Sequence, residues 1–339
     1  MTELRTDPLN GRQVLVVPGR SARPNEHAAQ PPAASSASEC PFCEGSEART
    51  PPEVAVSGPP GRPPNTPGWF VRAIPNRFPT VTAESVSVGG ATPVADFVAA
   101  PAFGYHEVVI ESPAHAPLLP FLPPAQVLRV LEMCRARVKA LSQRTSISAV
   151  TLFENTGPES GGSLWHPHAQ LVAAGAVPPG LRDEMVGAEA YRERAGTECS
   201  FESVRDEELR AGSRTVLRTR SFDTFAPYSS AFPYEMRVVP TRHVASFGEA
   251  TEEELGGLSE ILPQLLRALL TVVPGASYNL LVNSPAERLA GQERYHWHLD
   301  IAPRLIRPDG FDLGSGFHVN TVPPEDAART LKAAMGAKP

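Results

Sequence analysis

Short runs of alternating or continuous apolar residues punctuate this chain, separated by two longer apolar stripes of helical period, and the order of these segments occurs twice. The first passage runs "WFVRAIPNRFPTV", then "HEVVIESPAH", a helical stretch from Pro123 to Ser142, the strand-like "SAVTLFEN", and "HPHAQLVA". The second runs "SFDTFAPYSSAFPYEMRVVPTRH", a helical stretch from Thr251 to Thr271, "YNLLVN" and "YHWHLDIAP". β-Branched and apolar alternation predicts the strands, and apolar stripes opened by Pro or by Thr and Glu predict the helices. Spacing supports the repeat, because His115 and His166 stand 51 residues apart and His243 and His296 stand 53 apart. The pattern predicts a duplicated strand–strand–helix–strand–strand unit. Antiparallel strands with helices packed on one face make this an α+β fold. Loops are predicted at 25–39, where the low-complexity "NEHAAQPPAASSASE" reads as mobile, and at 46–66 and 82–98.

Composition narrows the class. With 339 residues the chain can bury a sizeable core, and its 37 prolines predict many loops and edge breaks. A net charge of −6 and a pI near 5.9 argue against a nucleic-acid scaffold, while a local basic patch could still hold a small phosphorylated ligand. The sequence has no apolar run of 18 residues and no charged-then-apolar amino terminus, so neither a membrane span nor a secretory signal is expected. Two of the four cysteines form a CxxC, which fits a reducing cytoplasm with a metal site better than a disulfide framework.

That CxxC, "CPFC", lets one turn present the Cys40 and Cys43 thiolates to a tetrahedral zinc. His115 and His166 are the candidates to complete the set, and a pair of free thiols is the alternative. In the second copy, "CSFE" supplies Cys199 and Glu202, with His243 and His296 at the positions of His115 and His166. Carboxylate with imidazole suits zinc or iron, and Glu184 is a rival carboxylate. Cys134 lies on the apolar stripe of a helix and reads as core.

The densest chemistry is in "FENTGPESGGSLWHPHAQLVA". On a strand, the two side chains of HxH point to one face. A metal on His166 would then hold His168 beside it, and a positioned neutral imidazole is a competent nucleophile towards phosphorus. The preceding "GPESGGS", with Gly162 and the hydroxyls of Ser160 and Ser163, could aim donors at phosphate oxygens. Gln170, on the same face, could donate an amide without offering an acid–base group. Metal binding by both histidines is the competing reading. Gln170 and the loop favour the nucleophile.

The segments "DPLNGRQVLVVPGRSARP", "CPFC", "IPNRFPTV", "VVIESPAH", "FENTG…HPHAQ" and "HWHLDIAP" resemble, in this order, the galactose-1-phosphate uridylyltransferase branch of the histidine-triad superfamily. The resemblance implies two histidine-triad-like halves, residues 1–190 and 191–339, and a ping-pong nucleotidyl transfer. The imidazole at His168 would attack the α-phosphorus of a nucleotide sugar and release sugar 1-phosphate. A nucleotidyl-histidine would remain until a second phosphate acceptor takes the nucleotide. The resemblance further implies that Asn155, Ser163 and Gln170 hold the phosphoryl group, Gln170 marking transferases over hydrolases, which place a third histidine there. Arg20 and Arg23 would contact phosphates across a homodimer interface, Asn76 and Phe78 the nucleoside, and the zinc would be structural.

Two departures from the family pattern bear on substrate and metal. Galactose-handling members carry a sugar-gripping glutamate in a "GYE"-like stretch, where this chain has "GSGFHVN" and His318. Its carboxyl-terminal stretch is more similar to the branch that contains ADP-glucose phosphorylases, which transfer an adenylyl group to inorganic phosphate. At the second metal site, bacterial uridylyltransferases use a glutamate and three histidines. Glu184, His296 and His298 fit three of these, with Asn283 near the fourth. The phosphorylase-like branch uses a cysteine pair and two histidines, which favours Cys199, Glu202, His243 and His296 here, with zinc or iron. Three functions follow: a nucleotidyltransferase on a nucleotide sugar, a phosphorylase of an ADP-sugar or dinucleoside polyphosphate, or a zinc-stabilised binding module without turnover. The retention of His168, Gln170, Asn155 and Ser163 together disfavours the last.

Overall fold

A computed structural model describes residues 2–22, 37–84 and 102–336. Most of the loops expected at 25–39 and 82–98 lie outside the described residues. In chain order the elements are β1 (Glu3–Thr6), β2 (Gln13–Val16), β3 (Ala55–Ser57), β4 (Val71–Pro75), β5 (Gly104–Ile110), α1 (Pro124–Ser142), β6 (Ala149–Thr156) and β7 (His168–Ala174). There follow α2 (Pro179–Ala195), α3 (Ser200–Ala211), β8 (Thr215–Arg218), β9 (Phe222–Phe225), β10 (Met236–Pro240), α4 (Glu252–Val272), β11 (Tyr278–Pro285) and β12 (Leu299–Pro303). The chain ends with α5 (Gly310–Ser315), β13 (His318–Asn320) and α6 (Pro324–Gly336).

Ten strands form one antiparallel sheet in the order β3-β4-β5-β7-β6-β11-β12-β10-β9-β8. Read from either edge, the order of the first copy repeats in the second, so the duplication in the sequence is a two-fold pattern in the sheet. The copies meet where β6 pairs with β11, from Tyr278 opposite Thr156 to Pro285 opposite Ala149. Alternation explains why these residues make central strands: β6 reads "AVTLFENT", and Ala149, Val150, Leu152, Glu154 and Thr156 are buried.

Helices α1 and α4 pack on each other, and the main core joins them to the sheet. Pro124 suits the first turn of α1, where its missing N–H costs nothing. Thr251 and Glu254 form a reciprocal capping box at the start of α4. By length and composition α4 could cross a membrane, but its leucines 255, 258, 262, 265, 266 and 269 are buried in the protein core against α1, α6 and the sheet. Cys134 is buried in the same core.

Several elements lack a strong period and are not visible in the sequence pattern. Strand β3 lies within the stretch 46–66 expected as loop. A second, three-stranded sheet brings the two ends of the chain together, with β2 between β1 and β13. Helices α2 and α3 form an insertion between the copies, and position 190 lies inside α2.

Candidate active site and metal clusters

The turn at Cys40–Cys43 is tied to the end of β5 by the Glu44 N–H, which donates to Pro113 O at 3.0 Å. This brings four ligand atoms within 4.8 Å of one another: Cys40, Cys43, His115 and His166. Cys43 Sγ lies 3.5 Å from His115 Nδ1, and His166 Nδ1 lies 3.6 Å from both sulfurs. His166 Nε2–H donates to Ser112 O at 2.7 Å, which leaves Nδ1 as the lone-pair nitrogen facing the thiols. Burial, together with neighbouring Cys40, pushes the Cys43 thiol up to about 11. Burial lowers His166 to about 4, against its bond to Ser112 and with the help of nearby His115 and His168. A neutral His166 imidazole and a Cys43 thiol that resists ionising on its own suit a tetrahedral cation, whose charge would favour the thiolate.

His168 opens β7, one residue beyond His166 and Pro167. The Phe42 ring, from the same CxxC turn, meets both imidazoles edge-on, with centroids 6.0 Å from His166 and 5.2 Å from His168. His168 Nδ1–H donates to His166 O at 2.8 Å, so Nε2 carries the free lone pair. Burial depresses its proton affinity, with that bond in opposition. The ring lies in a cleft with Leu118, Asn155, Gly157, Leu164 and Trp165.

Two carboxamides flank this imidazole. Gln170 Oε1 accepts from His106 Nε2–H at 3.0 Å and from Asn76 Nδ2 at 3.4 Å. Asn76 is itself held through Oδ1, which accepts the Phe78 N–H at 2.8 Å. Asn155 Oδ1 accepts from Asn279 Nδ2 at 2.7 Å. Phe78, expected against a nucleoside, is 82% exposed, an open apolar face beside Asn76.

The loop before His168 differs from the expectation of phosphate-facing amides. The N–H groups of Glu159, Ser160, Gly161 and Gly162 turn inward, onto Ser277 Oγ, Gly157 O, Pro158 O and Gly157 O respectively. The Ser160 hydroxyl donates to Gly157 O at 2.6 Å. Ser163 is exposed. Gly162 is required by space, since a Cβ there would meet Asn155 O at 2.8 Å and Gly157 O at 3.0 Å. Arg20 pairs with Asp309 at 2.8 Å, and Arg23 lies outside the described residues. His318 sits on β13, its ring 6.2 Å from that of Phe232.

In the second copy, Cys199, His243 and His296 form a three-residue cluster. Glu202, expected as a fourth ligand, is not in it; it belongs to the first turn of α3, after Cys199 at the N-cap. His296 is buried with neither ring nitrogen hydrogen-bonded. Burial and neighbouring His243, His298 and Arg205 lower it to about 3. Two buried ring nitrogens without hydrogen-bond partners, beside the Cys199 thiol, are a donor set that suits a cation. The rival Glu184 accepts from Tyr295 Oη at 2.9 Å and lies 3.4 Å from His298 Nε2. Asn283 accepts from Thr151 Oγ1 at 3.0 Å.

His298 repeats the geometry of His168, its Nδ1 3.1 Å from His296 O. The position of Gln170 is taken by Asp300, bound through two contacts of 2.7 and 2.8 Å to Arg237. Among the described residues, Glu184 on one side and this ion pair on the other close in the second imidazole. Sequence reading missed His106, Asn279 and the buried carboxyls of Glu111 and Glu154 beside the first site. The signal for His106 and Glu154 was a polar residue at an inward strand position. Burial lifts Glu111 well above the usual range and Glu154 to about 7.

Comparison with known proteins agrees with this architecture. Residues 1–178 match the family described as "Galactose-1-phosphate uridyl transferase, N-terminal domain". The chain is 30% identical to the ADP-glucose phosphorylase of Arabidopsis thaliana, over 97% of this chain and 92% of the relative. It is 27% identical to the galactose-1-phosphate uridylyltransferase of Thermotoga maritima, over 98% of each. A crystal structure of an Arabidopsis thaliana ADP-glucose phosphorylase with bound ADP-glucose superposes with a TM-score of 0.83 at 28% identity, covering 98% of each chain. A duplicated sheet with one open imidazole, matched from end to end by these enzymes, makes this chain a nucleotidyltransferase of the galactose-1-phosphate uridylyltransferase family.

Proposed function

We propose that His168 Nε2 attacks the α-phosphorus of a nucleoside diphosphate sugar. A P–N bond forms as the P–O bond to the sugar phosphate breaks, and sugar 1-phosphate leaves with that electron pair. The nucleotide stays on His168 until an oxygen of a second phosphate displaces it. The observation that carries this reading is the bond from His168 Nδ1–H to His166 O, which aims an unprotonated Nε2 into the cleft. Gln170 and Asn155 donate their amide N–H groups to the phosphoryl oxygens, and Ser163 adds a hydroxyl. Gly162 keeps the loop close, with Ser160 bracing it. Asn76 and Phe78 take the nucleoside. Arg20 and Arg23 serve phosphate across a homodimer interface, and His318 serves the sugar.

Zinc is the ion assigned to Cys40, Cys43, His115 and His166, where it would hold the Phe42 turn and His166 rigid beneath the nucleophile. Cys199, His243 and His296 are assigned a second structural zinc or an iron. All four cysteines are free thiols, which fits a cytoplasmic enzyme.

A second reading specifies the donor and acceptor as an ADP-sugar and inorganic phosphate. It is favoured by the higher identity and TM-score of ADP-glucose phosphorylase among the proteins compared, and by His318 in the place of a sugar-gripping glutamate. The deciding experiment mixes the enzyme separately with UDP-glucose, UDP-galactose, ADP-glucose and diadenosine tetraphosphate, without acceptor, and reads intact mass. A uridylyl adduct absent in His168→Asn supports the uridylyltransferase reading, and an adenylyl adduct supports the phosphorylase. No adduct from any donor would overturn transfer through His168.

A further inference from the structure

Both carboxamides at the nucleophile are gripped by their oxygens, and in each case a backbone group sets the polarity of the grip. On one side the Thr80 backbone N–H points at His106 Nδ1 at 3.1 Å. A backbone N–H can only donate, so Nδ1 is the acceptor and the proton of the neutral ring is on Nε2. That Nε2–H is 3.0 Å from Gln170 Oε1, so the Gln170 NH2 must point the other way. Asn76 Nδ2 is an amide nitrogen too, since its Oδ1 accepts the Phe78 N–H. It lies 3.1 Å from the ring Nε2–H, to which a second donor cannot bond, so its N–H goes to Gln170 Oε1 at 3.4 Å. On the other side, Asn279 Nδ2 lies 3.0 Å from Ser160 O. A carbonyl can only accept, so this atom is the amide nitrogen, and the atom it meets at 2.7 Å on Asn155 is Oδ1.

We propose that His106 and Asn279 are positioning residues that lock Gln170 and Asn155 with their NH2 groups, and not their oxygens, towards the phosphoryl group. This rests on the transfer reading above. A free carboxamide presents either end with similar ease, and its oxygen would repel a phosphate. Locking the amide removes that wrong state before substrate arrives, which is preorganisation of an oxyanion-stabilising donor. The two locks come from opposite sides of His168. His106 belongs to β5 in the first copy, and Asn279 belongs to β11 in the second, paired in register with Asn155. Neither touches the reacting atoms.

The test is a double-mutant cycle on the metal-loaded, full-length enzyme, reading the single-turnover rate of nucleotidyl adduct formation by intact mass with ADP-glucose and with UDP-glucose. His106→Phe should slow adduct formation roughly 10- to 100-fold with less change in donor KM. His106→Gln, which can return an N–H near the place of Nε2, should recover much of the rate. In a Gln170→Ala background His106→Phe should change the rate by less than about twofold, since no carboxamide remains to orient. Asn279→Leu should behave in the same way towards Asn155→Ala, and it keeps the test open if a His106 variant does not fold. An equal loss in both backgrounds would show a general packing role and overturn the proposal, as would no loss in the parent. If the parent forms no adduct with either donor while binding it, the transfer reading fails, and this inference with it.

Discussion

His168 Nδ1 lies 2.8 Å from the carbonyl oxygen of His166, so the group that orients this imidazole is the backbone of a residue in the first cysteine–histidine cluster. Ring orientation, tautomer and cluster geometry are therefore one problem. His168→Asn should eliminate adduct formation while Tm and metal content stay at the parent's values. His168→Gly should regain turnover when imidazole is supplied. Loss of metal from His168→Asn would mean that the ring is a ligand, and the role given to it here would be wrong.

The two metal clusters should separate by function. Cys40→Ser should lower both metal content and transfer rate, because the turn that carries Phe42 and the residue that orients His168 loosen together. Cys199→Ser should remove only the second ion and lower Tm, with the adduct rate within about threefold of the parent, as a site remote from chemistry predicts. Metal analysis by plasma mass spectrometry alongside single-turnover rates checks both. A Cys199→Ser enzyme that is fully folded yet loses transfer would contradict the division.

Stability should fall as pH rises through the titration of the Glu111–Glu154 pair. A glutamate near 4.5 in an exposed chain stands at about 7 at position 154, mainly through burial, with hydrogen bonds from Thr156 and Glu111 in partial opposition. Between these values the unfolded chain gives up a proton that native Glu154 keeps, so its contribution to native stability is full below about 4.5 and declines up to about 7. Glu111, lifted in the same direction, adds to the loss as pH rises. Glu154→Gln should remove the part of that decline due to Glu154 and leave the part due to Glu111, which burial also lifts well above the usual range. The gain above pH 7 should be on the order of 3 kcal/mol, with little change near pH 4. Melting curves of parent and variant that run parallel across this range would sink the assignment.

Gly162→Ala tests the loop. The added Cβ would lie within 3.0 Å of two carbonyl oxygens, one of them on Asn155. We expect a loss of about 1–3 kcal/mol and a fall in adduct rate of roughly tenfold or more, because the shift reaches Asn155 directly. An unchanged rate would mean that the loop yields without moving Asn155.

The parts of the fold that carry a period were legible in the chain. The strands around "FENTG" and "HPHAQ", both long helices and the doubled order follow from alternation and apolar stripes, and the structure has each of them. The first cysteine–histidine cluster was legible because CxxC spacing and the two histidines survive as a pattern. Glu202 was misjudged because sequence spacing cannot tell which way a helix's first turn sends a carboxylate. The small sheet of β1, β2 and β13 was invisible, since strands of three or four residues from opposite ends of the chain pair only after the fold exists. His106 and Asn279 were missed for a related reason. Their meaning comes from Thr80 N–H and Ser160 O, backbone groups that no residue type reveals.

The seam between β6 and β11 has a last consequence. If the chain were cut between its copies and the first one released, an eight-residue central strand would become a bare edge, with backbone groups unpaired and ready to recruit another strand. The freed piece would also lose Asn279 from beside its own Asn155. The second copy is thus a permanent tenant: deleting it would turn a paired strand into a seed for aggregation.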